Sequence, residues 1–231
     1  MPQTPLKLLA IDTATATCGV ALTEDGRLVA DARLHRPNVH NEKLVGLIQW
    51  LFNQAEWRFE DLSGVAVSIG PGSFTGLRIG LSVAKGLAFA VDRPVVPVNT
   101  LDALAYSVTA LDATVCVVIR ARKGEYYFAQ YTKSGTELRR HGEYAILDTA
   151  TVRARLPKGA VLMTQPPELF REFAVEGTIG LPEHQAVSSA AALAELATRR
   201  FHESSQENLA GLEPFYLKEF EAKRKVYEFA G

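Results

Sequence analysis

The first hundred residues alternate between short apolar runs, polar breaks and two stretches of helical period. Lys7 to Ile11 is an apolar run that ends at Asp12 and enters a Thr-rich turn, Thr13 to Thr17. Cys18 to Thr23 and Arg27 to Leu34 read as two further strands, with Glu24-Asp25-Gly26 between them. Asp-Gly between apolar runs predicts a hairpin, because glycine accepts the positive φ that the turn requires. Asn41 to Gln54 carries Leu44, Ile48, Leu51 and then Ala55 at helical spacing. Val65 to Ile69 is a strand, broken by Gly70-Pro71-Gly72-Ser73. A helix over Phe74–Val91 and a strand over Pro94–Val98 follow.

The second half repeats this order without repeating its residues. Strands are predicted over Thr114–Ile119, over Tyr126–Thr132 and up to about Ile146, with turns at Arg122-Lys123-Gly124 and Lys133-Ser134-Gly135. Asp148 or Thr149 caps a short helix, Ala160–Met163 is a strand, and Pro167–Phe173 is helical. Ser188 is expected to cap an Ala-rich helix reaching Phe201. The tail from Lys218 to Lys225 is charged and reads as a surface segment. Three antiparallel strands followed by αβα, occurring twice, define an α/β chain with the duplicated ribonuclease-H-like fold of sugar kinases, actin and Hsp70. The halves are expected at 1–105 and 106–231, with the last segment packing back on the first. In such folds, ligands sit where strand carboxyl ends meet helix amino ends.

Composition narrows the function classes. Among 231 residues, 25 Lys+Arg oppose 26 Asp+Glu, giving a formal charge of −1. A dedicated nucleic-acid binder leaves a basic excess, so any direct nucleic-acid contact is expected to be weak or indirect. The two cysteines, Cys18 and Cys116, are far apart and fit a reducing, cytoplasmic setting. No signal peptide is visible in the first residues. The longest apolar stretch is interrupted by Arg78 and Lys85, which argues against a membrane span. The five histidines show no HExxH or HxxxH spacing, so no metal site is expected.

Two features carry candidate chemistry. The run Ile69-Gly70-Pro71-Gly72-Ser73-Phe74-Thr75-Gly76 joins a strand to a helix. It is neither a Walker loop nor a dinucleotide fingerprint. Two readings stand: a tight turn with Ser73 or Thr75 as helix cap, or an anion or nucleotide cradle using Gly70, Gly72, Ser73 and Thr75. Asp12, at the end of the first strand, either positions a magnesium ion or water near phosphates or accepts hydrogen bonds from the turn amides of Ala14 and Thr15. Arg120, Arg122 and Lys123 cluster at a strand end, where such charges are usually solvated.

The second feature is the pair of long helices. Along Phe74–Val91, Arg78, Ser82 and Lys85 form a narrow polar stripe, and Gly76, Gly80, Ala84, Leu87 and Val91 lie opposite. Asn41–Gln54 is apolar over a broad arc. Two neighbouring helices with more apolar arc than one sheet covers imply a further buried surface, hence a partner. The expected interface residues are Leu44, Leu47, Ile48, Leu51, Phe74, Leu77, Arg78, Leu81 and Lys85.

The segments Leu9-Ala10-Ile11-Asp12-Thr13-Ala14-Thr15, Ser68 to Gly80 and Ala84-Lys85-Gly86-Leu87-Ala88 resemble the TsaB family of bacterial tRNA threonylcarbamoyladenosine synthesis. The likeness is strong from Leu6 to Tyr106 and continues more weakly at Arg120–Glu125 and Pro214-Phe215-Tyr216-Leu217. It implies an accessory subunit that pairs with the catalytic subunit TsaD through the two helices, self-associates as a homodimer when alone, and is joined by the ATPase TsaE. ATP or ADP is then expected, if anywhere, at the partner interface, and no cofactor is implied for this chain itself. TsaD carries a metal-binding HxxxH after the corresponding helix. Thr100 and Leu104 occupy those positions here, and neither is an imidazole donor, so the resemblance implies fold and pathway without autonomous catalysis. The competing readings are a small ATP-hydrolysing or phosphotransfer enzyme using Asp12 and the Gly70–Thr75 loop, a metalloprotease, and a homodimeric structural protein.

Overall fold

A computed structural model describes residues 4–36, 40–109, 112–201, 209 and 211–217. The predicted charged tail, Lys218 to Lys225, and His202 lie outside these. The first three strands, β1 (Lys7–Asp12), β2 (Thr17–Glu24) and β3 (Arg27–His35), form an antiparallel meander. Asp25 and Gly26 both take positive φ, 50° and 76°, as a two-residue turn between right-twisted strands demands. Helix α1 (His40–Ala55), β4 (Gly64–Gly70), α2 (Phe74–Ala90) and β5 (Val95–Asn99) follow. The first sheet has the order β3-β2-β1-β4-β5, with β4 parallel to both β1 and β5.

The second lobe repeats this path. Strands β6 (Asp112–Arg122), β7 (Glu125–Ser134), β8 (Glu137–Leu147), β9 (Val161–Gln165) and β10 (Ile179–Gly180) pair in the order β10-β9-β6-β7-β8. Its outer helices are short: α4 (Thr149–Arg155), capped by Asp148, and α5 (Phe170–Phe173) behind a 3-10 turn at Pro167–Leu169. The predicted helix over Pro167–Phe173 is thus split between two helical types. The two matching strand orders make the duplicated ribonuclease-H-like fold.

Two helices lie between the sheets and cross over. Helix α3 (Thr100–Ser107) follows the first sheet in sequence yet packs Leu101, Leu104 and Ala105 against Val115, Val117 and Ile119 of β6. Helix α6 (Ala190–Phe201) follows the second sheet and packs Leu193, Ala194 and Ala197 against Leu8, Ala10 and Ala21 of the first. The helix α3 was not visible in the sequence, because Thr100 to Tyr106 are all buried and leave no polar face. Ser189, rather than Ser188, caps α6, its Oγ accepting from Ala192 N at 3.3 Å. Ser188 is buried instead and meets Thr15 Oγ1 at 3.1 Å.

The joint between lobes is polar where the helices meet. The Asp102 carboxylate on α3 accepts from Tyr131 Oη at 2.9 Å, Tyr144 Oη at 2.8 Å and the Arg200 guanidinium at 3.0 Å. Burial and the Asp102 charge push both tyrosine hydroxyls well above their ordinary range. A buried carboxylate with three donors is satisfied, and it ties β7, β8 and α6 to α3.

Candidate functional site: an inter-lobe cleft and a helical face

The end of β1, the glycine-rich loop and the second lobe together enclose a cleft of about 490 Å³. One wall is Ala14, Thr15, Ala16, Gly72, Ser73 and Phe74; the facing wall includes Arg120, Arg122, Tyr127, Gln165 and Pro166. Of the expected ligand residues, Gly72 and Ser73 line this space, whereas Asp12, Gly70 and Thr75 do not. Asp12 is sealed at the strand end, where Oδ1 accepts from Ala14 N at 3.2 Å. Burial of the Cys18 thiol, and after it the Asp12 charge, push that thiol up to about 11. Of the two Asp12 readings, this hydrogen bond belongs to the turn-amide one.

The loop glycines serve close approach of the chain to itself. A Cβ on Gly72 would stand 2.2 Å from Ala14 O, and Ser73 N donates to that same oxygen at 2.7 Å. Gly70, at φ +121°, faces a different segment: a Cβ there would lie 2.7 Å from Phe215 O. Ser73 caps α2, with Oγ accepting from Gly76 N at 3.2 Å. Thr13 Oγ1 donates to Gly76 O at 2.7 Å, so the small residues of α2 seat the helix on the β1–β2 loop. An anion cradle needs backbone amides turned to solvent. Here the Ser73 and Gly76 amides are committed within the chain, as a tight turn with a capping serine requires.

The segment 211–217 returns across the cleft mouth as a strap. Phe215 N donates to Ile69 O at 2.7 Å, and the Phe215 ring meets Tyr144 of the second lobe edge-on at 5.7 Å. Tyr216 lines the cleft and packs against Phe74 at 5.8 Å. Sequence reasoning assigned no site role to Tyr216, Tyr127 or Gln165, since each reaches the cleft only through long-range packing.

The helical face divides into two sides. Leu44, Ile48, Leu51 and Leu81 are buried in this chain's own core with Leu9, Ile11, Val20 and Val67, Leu77 is buried beside Gly70, and Leu47 packs half-buried at the core's edge. The expectation that these leucines and Ile48 form a partner surface is corrected: the apolar arc turns inward to cover the first sheet. The outer side carries different residues. Val45 is 61% and Trp50 53% exposed on α1, and Phe89 is 82% exposed on α2. Phe74, Arg78, Ser82, Lys85 and Phe89 follow one another at three- or four-residue spacing, so they form one outward stripe. Trp50, Val45 and Phe89 were missed as candidates, because a helix pattern shows which arc is apolar but not which isolated apolar residues stay in water.

The resemblance implies metal-ligand positions at Thr100 and Leu104. Thr100 and Leu104 sit one turn apart on α3, fully buried, and offer one neutral hydroxyl and one isobutyl group. They do not fit a divalent metal, which needs imidazole, thiolate or carboxylate donors. Among the described residues, no group of three His, Cys, Asp or Glu converges for one either. Nor, among them, is any helix long and apolar enough to cross a membrane.

Two lobes of one topology, exchanged central helices and a cleft between them define a duplicated ribonuclease-H-like protein. A family model described as "TsaD: tRNA N6-adenosine threonylcarbamoyltransferase" matches residues 37–226. The chain is 30% identical to the tRNA threonylcarbamoyladenosine biosynthesis protein TsaB of Escherichia coli, over 96% of this chain and 98% of that protein. It is 33% identical to the TsaB of Bacillus subtilis over 54% of this chain and 55% of that protein. The solved structure of YeaZ from Pseudomonas aeruginosa superposes with a TM-score of 0.78 at 27% identity, covering 92% of this chain and 100% of that one. The chain belongs to the TsaB family, within the wider group that the TsaD model describes.

Proposed function

We propose that this chain serves tRNA threonylcarbamoyladenosine formation in the cytoplasm as the non-catalytic partner of TsaD. The observation that carries the reading is the outer side of α1 and α2. Apolar side chains as large as Trp50 and Phe89 stand in solvent on two long adjacent helices, and such patches mark protein–protein contacts. Gly46 and Gly86 lie in open space on the same helices and allow a partner's backbone to come close. TsaD uses this face for pairing, a second copy of the chain takes it when TsaD is absent, and TsaE joins the pair. Any ATP or ADP binds at the shared interface. TsaD then transfers threonylcarbamoyl to the adenosine beside the anticodon, with tRNA contact by this chain indirect or weak.

The phosphotransfer alternative needs Asp12 and the Gly70–Thr75 loop to face a nucleotide. The hydrogen bonds from Ala14 N to Asp12 and from Ser73 N to Ala14 O weigh against it. Reconstitution of tRNA modification from purified components, omitting each in turn, tests the proposal. Modification is expected only when this chain and TsaD are both present; turnover by this chain alone overturns the reading.

A further inference from the structure

The outward stripe of α2 has a charge character of its own. Its only charged residues are Arg78 and Lys85, and the 17-residue helix has no acid to offset them. The Arg78 guanidinium lies 3.8 Å above the Phe74 ring, and its Nε donates to Tyr216 Oη at 3.4 Å. Among the described residues, no carboxylate is within ion-pair distance of Arg78. A guanidinium over an aromatic ring is partly desolvated, and with Nε bonded to Tyr216 its planar fork keeps the terminal N–H groups for another acceptor. That arrangement matches the two oxygens of a carboxylate. The strap fixes it further, since Tyr216 is anchored through the neighbouring bond from Phe215 N to Ile69 O.

We infer that Phe74, Arg78 and Tyr216 form a carboxylate-receiving patch, through which the pairing face selects a catalytic partner that presents an acidic side chain among apolar ones. The inference rests on the pairing reading above and adds the chemistry of recognition to it. Phe74 is 39% and Tyr216 40% exposed, so an incoming acid meets aromatic edges around the cation and loses water on binding. Charge complementarity across a contact of this kind sets specificity and encounter rate. The strap thereby becomes part of the interface, although it belongs to neither helix.

Calorimetric titration of the full-length chain with its purified TsaD, at low and high salt, tests the patch, with urea unfolding as the control for fold. Arg78→Glu is expected to weaken binding at least about tenfold, with a smaller loss at high salt. Arg78→Lys keeps the charge but loses the planar fork, and should cost about three- to tenfold. Tyr216→Phe keeps the ring and removes the bond to Nε, with a smaller loss. If Arg78→Glu binds as the parent while Val45→Asp abolishes pairing, the patch is overturned and the pairing reading stands. If neither variant weakens binding, the pairing reading itself fails and the patch with it. An Arg78→Glu effect confined to self-association assigns the patch to a second copy and overturns the partner chosen here.

Discussion

The two lobes share a strand order but differ in what covers their outer sheet faces. In the first lobe, α1 and α2 run for 16 and 17 residues; in the second, α4 and α5 have 7 and 4. At about 1.5 Å per residue, α2 spans roughly 25 Å, enough to cross its sheet and keep a second side in solvent. The short pair cannot do this. Their sheet is closed largely by side chains, with Phe173 buried and set edge-on against Tyr126 at 4.6 Å. The same fold plan therefore yields one lobe with a long outward helical surface and one whose outer layer is used up in its own core. The asymmetry of the duplication, and not the shared topology, is what leaves a long outward helical surface on the first lobe.

The inner and outer sides of the α1–α2 pair give the sharpest way to break this comparison. Leu77→Asp buries an uncompensated charge in the core, which costs about 4 kcal/mol or more and is expected to abolish the cooperative urea transition. Val45→Asp is expected to leave the transition unchanged within about 0.5 kcal/mol while weakening TsaD binding about 30-fold or more by calorimetry. If Leu77→Asp instead folds normally and loses only the partner, the inward assignment is wrong. Gly70→Ala comes next. The new Cβ meets Phe215 O at a φ that side chains rarely adopt, so about 1–3 kcal/mol should be lost, lowering Tm by roughly 3–9 °C.

The smallest effect at neutral pH separates the lobes by titration. Burial raises the Cys18 thiol from 9.0 to about 11 and the Cys116 thiol from 9.0 to about 12. Tyr106 rises from 10.0 to about 12 through burial and its hydrogen bond to Glu195. These groups stay protonated in the folded chain while the unfolded chain ionises, so the unfolded state binds fewer protons at high pH. These three groups therefore add no pH dependence well below pH 9 and lower stability from about pH 9 to 12. Cys116→Ala should flatten that alkaline fall more than Cys18→Ala, as read from urea midpoints across pH.

Much of this was legible in the residues. The Asp25-Gly26 turn, the Ser73 cap and the two long helices all follow from local chemistry, which survives folding unchanged. The resemblance of Ser68–Gly80 to one family reached the right pathway. What stayed hidden depends on neighbours distant in sequence. Helix α3 is buried all round and so has no amphipathic signature. The leucines of α1 and α2 form an apolar arc whose destination is set by a sheet the pattern does not contain. The strap is held in part by a backbone bond, Phe215 N to Ile69 O, and backbone bonds leave no trace in side-chain spacing. The glycines drew attention as a ligand loop for the same reason: nothing in their spacing says that what approaches them is Ala14 and Phe215 of the same molecule.

The exchange of α3 and α6 means that the gene cannot be cut at its midpoint to yield two working pieces. A product ending near residue 99 would present one bare side of its first sheet, because the helix that shields Leu8, Ala10 and Ala21 is encoded ninety residues later. Each half lends its third helix to the core of the other. A core substitution in either helix is consequently felt by the half that does not encode it.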